Sequence, residues 1–386
     1  MDPDTQDTPQ PPGQDSDLGA AEAAFEAGQW AQALRGFERA RDSLQGETPR
    51  DVLAMGSMCL HRLKRYHDAE SWALEGLGDQ RALLAVGEPL TEAQHFARWG
   101  GNRVPVVSIV CTTFNHERYI ETAIRGFLSQ QTSFPFEILI HDDASTDGSQ
   151  EIITRWQGRY PRIMRTVLQS ENQFSRGVRP FELLLAQARG AYVATCEGDD
   201  FWIDASKLQR QVSFLHAHPE FSCSAHNYYH YDESALSVTP WLKKPRDRVL
   251  SARELMAIKR LLWLPTLVFR KTFSTMPPER ALAPIGDQFL TSYLGTFGAC
   301  MYFDEFLGAV RRENAFSTWS PLGTTEKELV RVKTWMAVSR FHAKAGNHQA
   351  VIDVLTKIAA SPLDERAKSA LIDDAFLSEL SIAAAA

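Results

Sequence analysis

Residues 105–221 alternate between short apolar runs and segments of helical periodicity, and this alternation constrains the fold more than any other feature. The run Val106-Val107-Ser108-Ile109-Val110-Cys111 has a buried-strand pattern, closed by Thr112-Thr113-Phe114-Asn115. A helix is predicted next, because Tyr119, Ile120, Ala123, Ile124, Phe127 and Leu128 recur at the helical period. Residues 136–140 make a second strand, and Asp142-Asp143-Ala144-Ser145-Thr146-Asp147-Gly148 is the turn after it. Helix follows from 149 to 156, a third strand at 164–168, a helix at 181–189 and a fourth strand at 191–196. Strands alternating with helices predict an α/β domain whose sheet is mainly parallel, with helices on both faces.

The fourth run ends in Glu197-Gly198-Asp199-Asp200. Three carboxylates within four positions repel one another, and a hard divalent cation with oxygen ligands removes that cost. At the end of a buried strand they point into the region where open α/β sheets bind ligands. The cluster therefore implies a metal-bound, phosphate-bearing substrate. The net charge of −7 argues against non-specific nucleic-acid binding, so phosphate recognition falls to local groups. Five scattered cysteines (Cys59, Cys111, Cys196, Cys223, Cys300) show no metal-type pairing and read as buried thiols in a reducing compartment.

Residues 1–17 are acidic and rich in proline and glutamine, and read as a disordered tail without the features of a secretory signal. From 18 to 100 the pattern is helical and alanine-rich. Trp30, Ala33, Phe37 and Ala40 form one pass; Tyr66, Ala69 and Ala73 form a weaker second, Tyr66 lying 36 positions after Trp30. This region resembles the tetratricopeptide repeat, with a plain antiparallel helical pair as the alternative. Residues 325–386 are helical again, and His342, Gly346, His348, Val351, Leu355 and Ile358 repeat the first spacing. This last segment packs either on the N-terminal helices or on the α/β domain of 101–324. The longest membrane-like run, 261–269, is too short to span a bilayer and contains Pro265. The expected location is cytoplasmic, compatible with peripheral attachment at the inner face of a membrane.

Several motifs in order give the segment 105–221 its resemblance to glycosyltransferase family 2, the inverting group built on the A-type glycosyltransferase fold. Ser108-Ile109-Val110-Cys111-Thr112-Thr113-Phe114-Asn115-His116 is similar to the family's opening strand and turn, and Ser129-Gln130-Gln131-Thr132 to its "SQ(T)" helix end. Residues 138–148 resemble the "VDDGSTDG" turn, and Ala188-Arg189-Gly190-Ala191-Tyr192-Val193 the "A-x-G-x-Y-I" stretch before the acidic cluster. The resemblance implies an A-type, Rossmann-like fold, a nucleotide-diphosphate-sugar donor and Mg²⁺ or Mn²⁺.

Carried over residue by residue, the resemblance implies nucleotide contacts from Asp143 and Asp142, with Thr112 and Phe114 on the facing loop. A turn-capping role is the alternative for both aspartates. The metal motif maps onto Glu197-x-Asp199 with Asp200 adjoining; Asp199 and Asp200 are the first choices as ligands and Glu197 a ribose or outer contact. Asp199 also faces the diphosphate. The proton-accepting base maps onto Asp287 in Pro284-Ile285-Gly286-Asp287-Gln288, with a helix-capping aspartate as the alternative. Val310-Arg311-Arg312-Glu313 stands where relatives carry a "YRxH" loop; the aromatic and histidine are absent, leaving Arg311 or Arg312 for phosphate. Trp202 is a candidate wall for a sugar or a core residue, and His226 reads as structural. The acceptor is a glycan, lipid-linked saccharide, small molecule or protein, and the helical repeats suggest a protein partner or homodimer. Two other readings are a helical-repeat scaffold with a degenerate transferase domain and a sugar nucleotidyltransferase.

Overall fold

The computed structural model describes residues 14–43, 48–242, 246–260, 262–313 and 322–363, and divides into two compact units. The first thirteen residues of the expected tail and residues 364–386 lie outside the described set. The first unit comprises residues 1–85, 231–239 and 312–315. Its helices are α1 (Gln14–Glu26), α2 (Trp30–Ser43), α3 (Arg50–Arg62) and α4 (Tyr66–Leu77), packed α1 on α2 and α3 on α4. Helix α1 thus starts before residue 18. Trp30 and Tyr66 open the second helix of each hairpin, which is the origin of their spacing. Phe25 meets Trp30 edge-on at 5.4 Å, and Gly56 leaves room for the Trp72 ring, which a Cβ there would approach to 2.0 Å.

The second unit comprises residues 86–230, 240–311 and 316–386. It begins earlier than residue 101, because α5 (Glu92–Arg98) belongs to it. His95 Nε2 lies 3.0 Å from the Leu128 carbonyl oxygen, and Trp99 packs on Phe136 at 5.2 Å. Then follow β1 (Val107–Thr113), α6 (Ile120–Leu128), β2 (Phe136–Asp142), α7 (Ser149–Arg159), β3 (Met164–Leu168), α8 (Pro180–Gln187) and β4 (Tyr192–Thr195). After the acidic turn come β5 (Phe201–Trp202), α9 (Lys207–Ala217), β6 (Phe221–Asp232), β7 (Ser237–Pro240), β8 (Arg248–Leu250) and α10 (Ala252–Met256), residues 231–239 of β6 and β7 being counted in the first unit. The last elements are β9 (Val268–Arg270), α11 (Gly286–Leu294), β10 (Ala299–Glu313), α12 (Thr324–Lys344) and α13 (His348–Ala359).

The sheet runs β3-β2-β1-β4-β9-β6-β10-β5. Helical crossovers make β3, β2, β1 and β4 parallel, but β9 pairs antiparallel with both β4 and β6, and β10 antiparallel with β5. The sheet is therefore mixed, which corrects the mainly parallel expectation: beyond β4 the chain returns without the crossovers that enforce parallel pairing. Alternation sends Ile109 and Ile138 to one core and Val110 and Leu139 to the other, so both faces are covered. The C-terminal hairpin packs on the sheet unit, where Trp335, Val338 and Val354 join Ala283 and Phe289. All five cysteines are buried free thiols. Among the described residues no helix is long and apolar enough to cross a membrane.

One buried carboxylate ties the parallel strands together. Glu137, 1% exposed on β2, accepts from Ser108 Oγ on β1 at 2.8 Å and from Arg189 N and Nε, each at 2.8 Å. Gly190 N donates to Ser108 Oγ at 2.9 Å, and a Cβ on Gly190 would lie 2.6 Å from Ser108 N. Burial alone would raise the Glu137 carboxyl, but Arg189 and Ser108 hold it below the ordinary glutamate value. Its ionisation thus contributes stability above the ordinary glutamate range, lost as pH falls through the depressed value. Arg189→Ala should cost about 2–3 kcal/mol by urea denaturation at pH 7, since it strips a buried charge of its main partner. Glu137→Gln should flatten the acid limb of the stability profile.

Candidate active site

β1 has β2 on one side and β4 on the other, so the chain reverses its direction of winding there, and ligand sites form beyond the strand ends at such points. The acidic turn hangs from this edge. Cys196 N donates to Val110 O at 3.2 Å, Gly198 N to Thr112 O at 3.0 Å, and Asp200 N closes the turn on Glu197 O at 3.2 Å. Glu197, Asp199 and Asp200 each offer a carboxylate oxygen within 4.8 Å of the others. Desolvation and repulsion from Asp199, Asp200 and Asp287 push Glu197 well above the ordinary glutamate range, with Arg311 opposing. Because the Glu197 side chain reaches solvent, repulsion is the firmer cause. A crowded all-oxygen donor set of this kind fits a hard divalent cation.

Gly198 has a packing role. A Cβ there would sit 2.7 Å from Thr113 Oγ1 and 2.9 Å from His116 Nδ1, two buried atoms with no hydrogen-bond partner among the described residues. His116 Nε2 lies 4.0 Å from Asp199 Oδ2, so the loop after β1 and the acidic turn meet through this histidine. Asn115, at φ 56°, starts the loop; its side chain accepts from Thr146 N at 2.8 Å, and Glu117 accepts from Gly148 N at 2.9 Å.

The two aspartates after β2 differ. Asp142 is fully buried and accepts from Ser145 N at 2.9 Å, Ser145 Oγ at 2.5 Å and Gln150 Nε2 at 2.7 Å. That is a turn-capping arrangement. Asp143 accepts from Gln173 N at 2.8 Å and Phe174 N at 3.0 Å, and so holds the loop after β3 against the β1–β2 edge. Thr112, half-buried, is the residue whose carbonyl anchors Gly198, and Phe114 stands 43% exposed beyond it.

Asp287 is the second residue of α11, where the helix N-terminus favours a negative charge. Desolvation nevertheless pushes its carboxyl up to about 6, against the hydrogen bond from Gln288 N and the charges of Arg311 and Arg280. Gly286 has no unusual backbone angle; it is small because the Arg280 guanidinium packs on it, 2.4 Å from where a Cβ would be. Buried Arg280 donates to Ala283 O at 2.7 Å and so braces the turn that carries Asp287.

Arg311 lies on a strand and not on a loop, which corrects the expectation from the "YRxH" position. In β10, Val310 pairs with Phe201, and continuing that register brings Arg311 level with Asp200. Its guanidinium covers the Trp263 ring at 4.2 Å and its charge acts on Glu197 and Asp287. Arg312 belongs to the first unit and pairs with Glu233 at 2.8 Å. Trp202 is a core residue and no sugar wall: it is fully buried, donates to Pro265 O at 2.8 Å and packs on Phe127. His226 is buried against Phe306, with Nδ1 2.6 Å from Asn227 O. Arg280 and Trp263 escaped the sequence reading, and His116 entered it only as the end of the opening motif, without a role. None carries a pattern of its own; each gains meaning from a glycine or a charge brought close by folding.

The sequence model described as Glycosyl transferase family 2 matches residues 108–267. An uncharacterized protein of Mycobacterium tuberculosis is 34% identical over 252 residues, which is 64% of this chain and 68% of that one. A Bacillus subtilis protein named as the putative teichuronic acid biosynthesis glycosyltransferase TuaG is 34% identical over 140 residues, 36% of this chain and 52% of its own length. Among solved structures, Staphylococcus aureus TarS 1–349 in complex with UDP is similar over 70% of each chain, at 17% identity and a TM-score of 0.45. The fold and the matched sequence define a transferase of the mixed α/β class. The chain belongs to glycosyl transferase family 2.

The Arg280–Gly286 contact is open to a double-mutant cycle. Gly286→Ala should cost about 1–2 kcal/mol in thermal melts, as a small-to-large change does in packed surroundings. In an Arg280→Ala background the added methyl should cost almost nothing, giving clear non-additivity.

Proposed function

We propose that this chain is a metal-dependent, inverting glycosyltransferase of the A-type fold, moving a sugar from a nucleotide-diphosphate-sugar to an acceptor hydroxyl in glycan or glycoconjugate biosynthesis. The observation that carries the reading is the cluster of three carboxylates, Glu197, Asp199 and Asp200, each with an oxygen within 4.8 Å of the others, together with a separate carboxylate, Asp287, whose charge acts on Glu197. Two carboxylate groups in different environments suit different roles. The transferase part of the reading is supported by a relative from Escherichia coli, 30% identical over 125 residues and named a UDP-Glc:α-D-GlcNAc-diphosphoundecaprenol β-1,3-glucosyltransferase.

In this reading the nucleotide lies along the β1–β2 edge, with Asp143 and Thr112 near base and ribose and the exposed Phe114 ring as an apolar wall. Asp142 supports from beneath by fixing the turn. Asp199 and Asp200 would hold Mg²⁺ or Mn²⁺, with Glu197 as an outer or ribose contact. A divalent ion there supplies positive charge to the diphosphate that leaves. Arg311 adds a guanidinium, with its fork of donors, on the β10 side. Asp287, deprotonated, takes the proton from the acceptor hydroxyl as that oxygen attacks the anomeric carbon. The bond to the diphosphate breaks on the opposite face, so configuration inverts. Action at the cytoplasmic side of a membrane fits a glycolipid acceptor. The paired hairpins α1–α4 are assigned, as tetratricopeptide-like repeats, to partner or self-association.

A panel of nucleotide-sugars with Mn²⁺, read by donor hydrolysis and thermal shift, tests this directly. Asp199→Ala should lose metal-dependent nucleotide binding; Asp287→Asn should keep binding and lose at least about 10²-fold in transfer. Equal activity in all three proteins sinks the reading, and release of pyrophosphate in place of nucleoside diphosphate would point to a nucleotidyltransferase.

The pH dependence follows from Asp287. As the base it must be ionised, so kcat/KM should fall about tenfold per pH unit below about 6. Its raised value also means the fold prefers the neutral form, so stability drops as pH rises from the ordinary aspartate value to about 6. Asp287→Asn should therefore melt a few degrees higher than wild type above pH 7 and equally below pH 4.

A further inference from the structure

His116 stands at the acidic turn, and the transfer chemistry gives it no role. Its backbone is fixed from two sides. His116 N donates to Ser149 Oγ at 2.9 Å, at the start of α7, and its carbonyl accepts from Tyr119 N at 2.8 Å and Ile120 N at 2.9 Å, at the start of α6. Its neighbours are held in the same way: Asn115 N donates to Ser145 Oγ at 2.8 Å and Glu117 N to Asp147 Oδ2 at 3.0 Å. The ring meets buried Tyr119 edge-on at 6.2 Å.

The two ring nitrogens face different surroundings. Nδ1 is buried against Gly198, 2.9 Å from where a Cβ would stand, and has no hydrogen-bond partner among the described residues. Thr113 Oγ1, packed on the same glycine, makes no bond to it. Nε2 lies 4.0 Å from Asp199 Oδ2. A neutral imidazole carries its proton on one nitrogen, and the bonds open to each decide which. Buried N–H groups without an acceptor are rare, and unfilled lone pairs less so. The proton therefore belongs on Nε2, facing the carboxylate. A ligand role needs the opposite tautomer, with the Nε2 lone pair on the cation and Nδ1–H on an acceptor, which Nδ1 lacks. Among the described residues, the donor atoms that gather within 4.8 Å of one another are likewise carboxylate oxygens alone. The present 4.0 Å is too long for a hydrogen bond. The torsion that turns an aspartate carboxylate is soft, so a rotation of Asp199 can close the gap.

We propose that His116 is a positioning residue for Asp199: Nε2–H holds one carboxylate oxygen and leaves the other turned to the cation, while the imidazole stays outside the coordination sphere. The proposal rests on the metal-dependent reading of the acidic turn. A donor directed at Asp199 also offsets part of the repulsion among the three carboxylates. Because the His116 backbone is bound to the turns that open α6 and α7, the metal carboxylate takes its orientation from the edge to which that reading assigns the nucleotide.

Mn²⁺ binding to the full chain, alone and with UDP, GDP or dTDP, tests this when read from the EPR signal of the free ion at about pH 8, where an ordinary imidazole is neutral. His116→Phe, which keeps a ring, and His116→Ala should each weaken binding at least about tenfold. His116→Gln, whose amide donates from a similar place, should retain most of it. Circular dichroism reports that each variant is folded. Electron spin echo spectra of bound Mn²⁺ should contain no ¹⁴N coupling that disappears in His116→Gln. Wild-type affinity in His116→Phe overturns the proposal, and so does a loss in His116→Gln as deep as in His116→Ala. A ¹⁴N coupling abolished by His116→Gln overturns it by making His116 a ligand, and absence of Mn²⁺ binding in wild type overturns it outright. If the variants rank as expected but no nucleotide-sugar is hydrolysed, the positioning role stands and the transferase reading fails. If wild type hydrolyses a nucleotide-sugar with Mn²⁺ and His116→Phe binds the ion as tightly, the reading stands and the positioning role fails.

Discussion

The Glu137 carboxylate is the contact on which the site depends. It is buried on β2, bonded to Ser108 on β1 and to Arg189 in the turn before β4. Three segments distant in sequence are thereby held in one register. Their far ends deliver Thr112, Asp143 and the acidic turn to a common edge. A slip of one residue would send each strand's side chains to the opposite faces. Gly190 makes the same junction possible sterically, since a side chain there would strike the β1 backbone.

Around that edge, close packing and charge explain the glycines and basic residues together. Gly198 admits Thr113 and His116 beside the carboxylates, and Gly286 admits the Arg280 guanidinium beneath Asp287. Four carboxyl groups, Glu197, Asp199, Asp200 and Asp287, share one field with Arg311 as a nearby cation. The fold carries this repulsion as a cost, and a site where like charges are held together is suited to a cation. Asp287 stands apart because desolvation raises its carboxyl while the charges of Arg311 and Arg280 oppose the rise.

Much of this was legible beforehand. The run 164–168 matches β3 residue for residue, β2 extends two residues beyond the predicted 136–140, and Glu197 to Asp200 form the expected turn after β4. Short-range patterns suffice for such elements, because apolar periodicity and turn residues act locally. The pairing of the antiparallel half was not legible. Residues 265–270 resolve into a short 3₁₀ turn and β9, and the pairing of β9 between β4 and β6 is a long-range choice with no local signature. Trp202 illustrates the same limit: beside the acidic turn in sequence, it is carried into the core by its hydrogen bond to Pro265.

The sequence by itself determined the α/β character of the central region, the acidic turn after a buried strand and the family, since each rests on residues adjacent in the chain. Tertiary structure alone decided which groups meet. It separated Arg311, facing the carboxylates, from Arg312, paired with Glu233, and it set Arg280 under Gly286. Burial and pairwise charge depend on distances in space, and those are settled when strands far apart in sequence find their register.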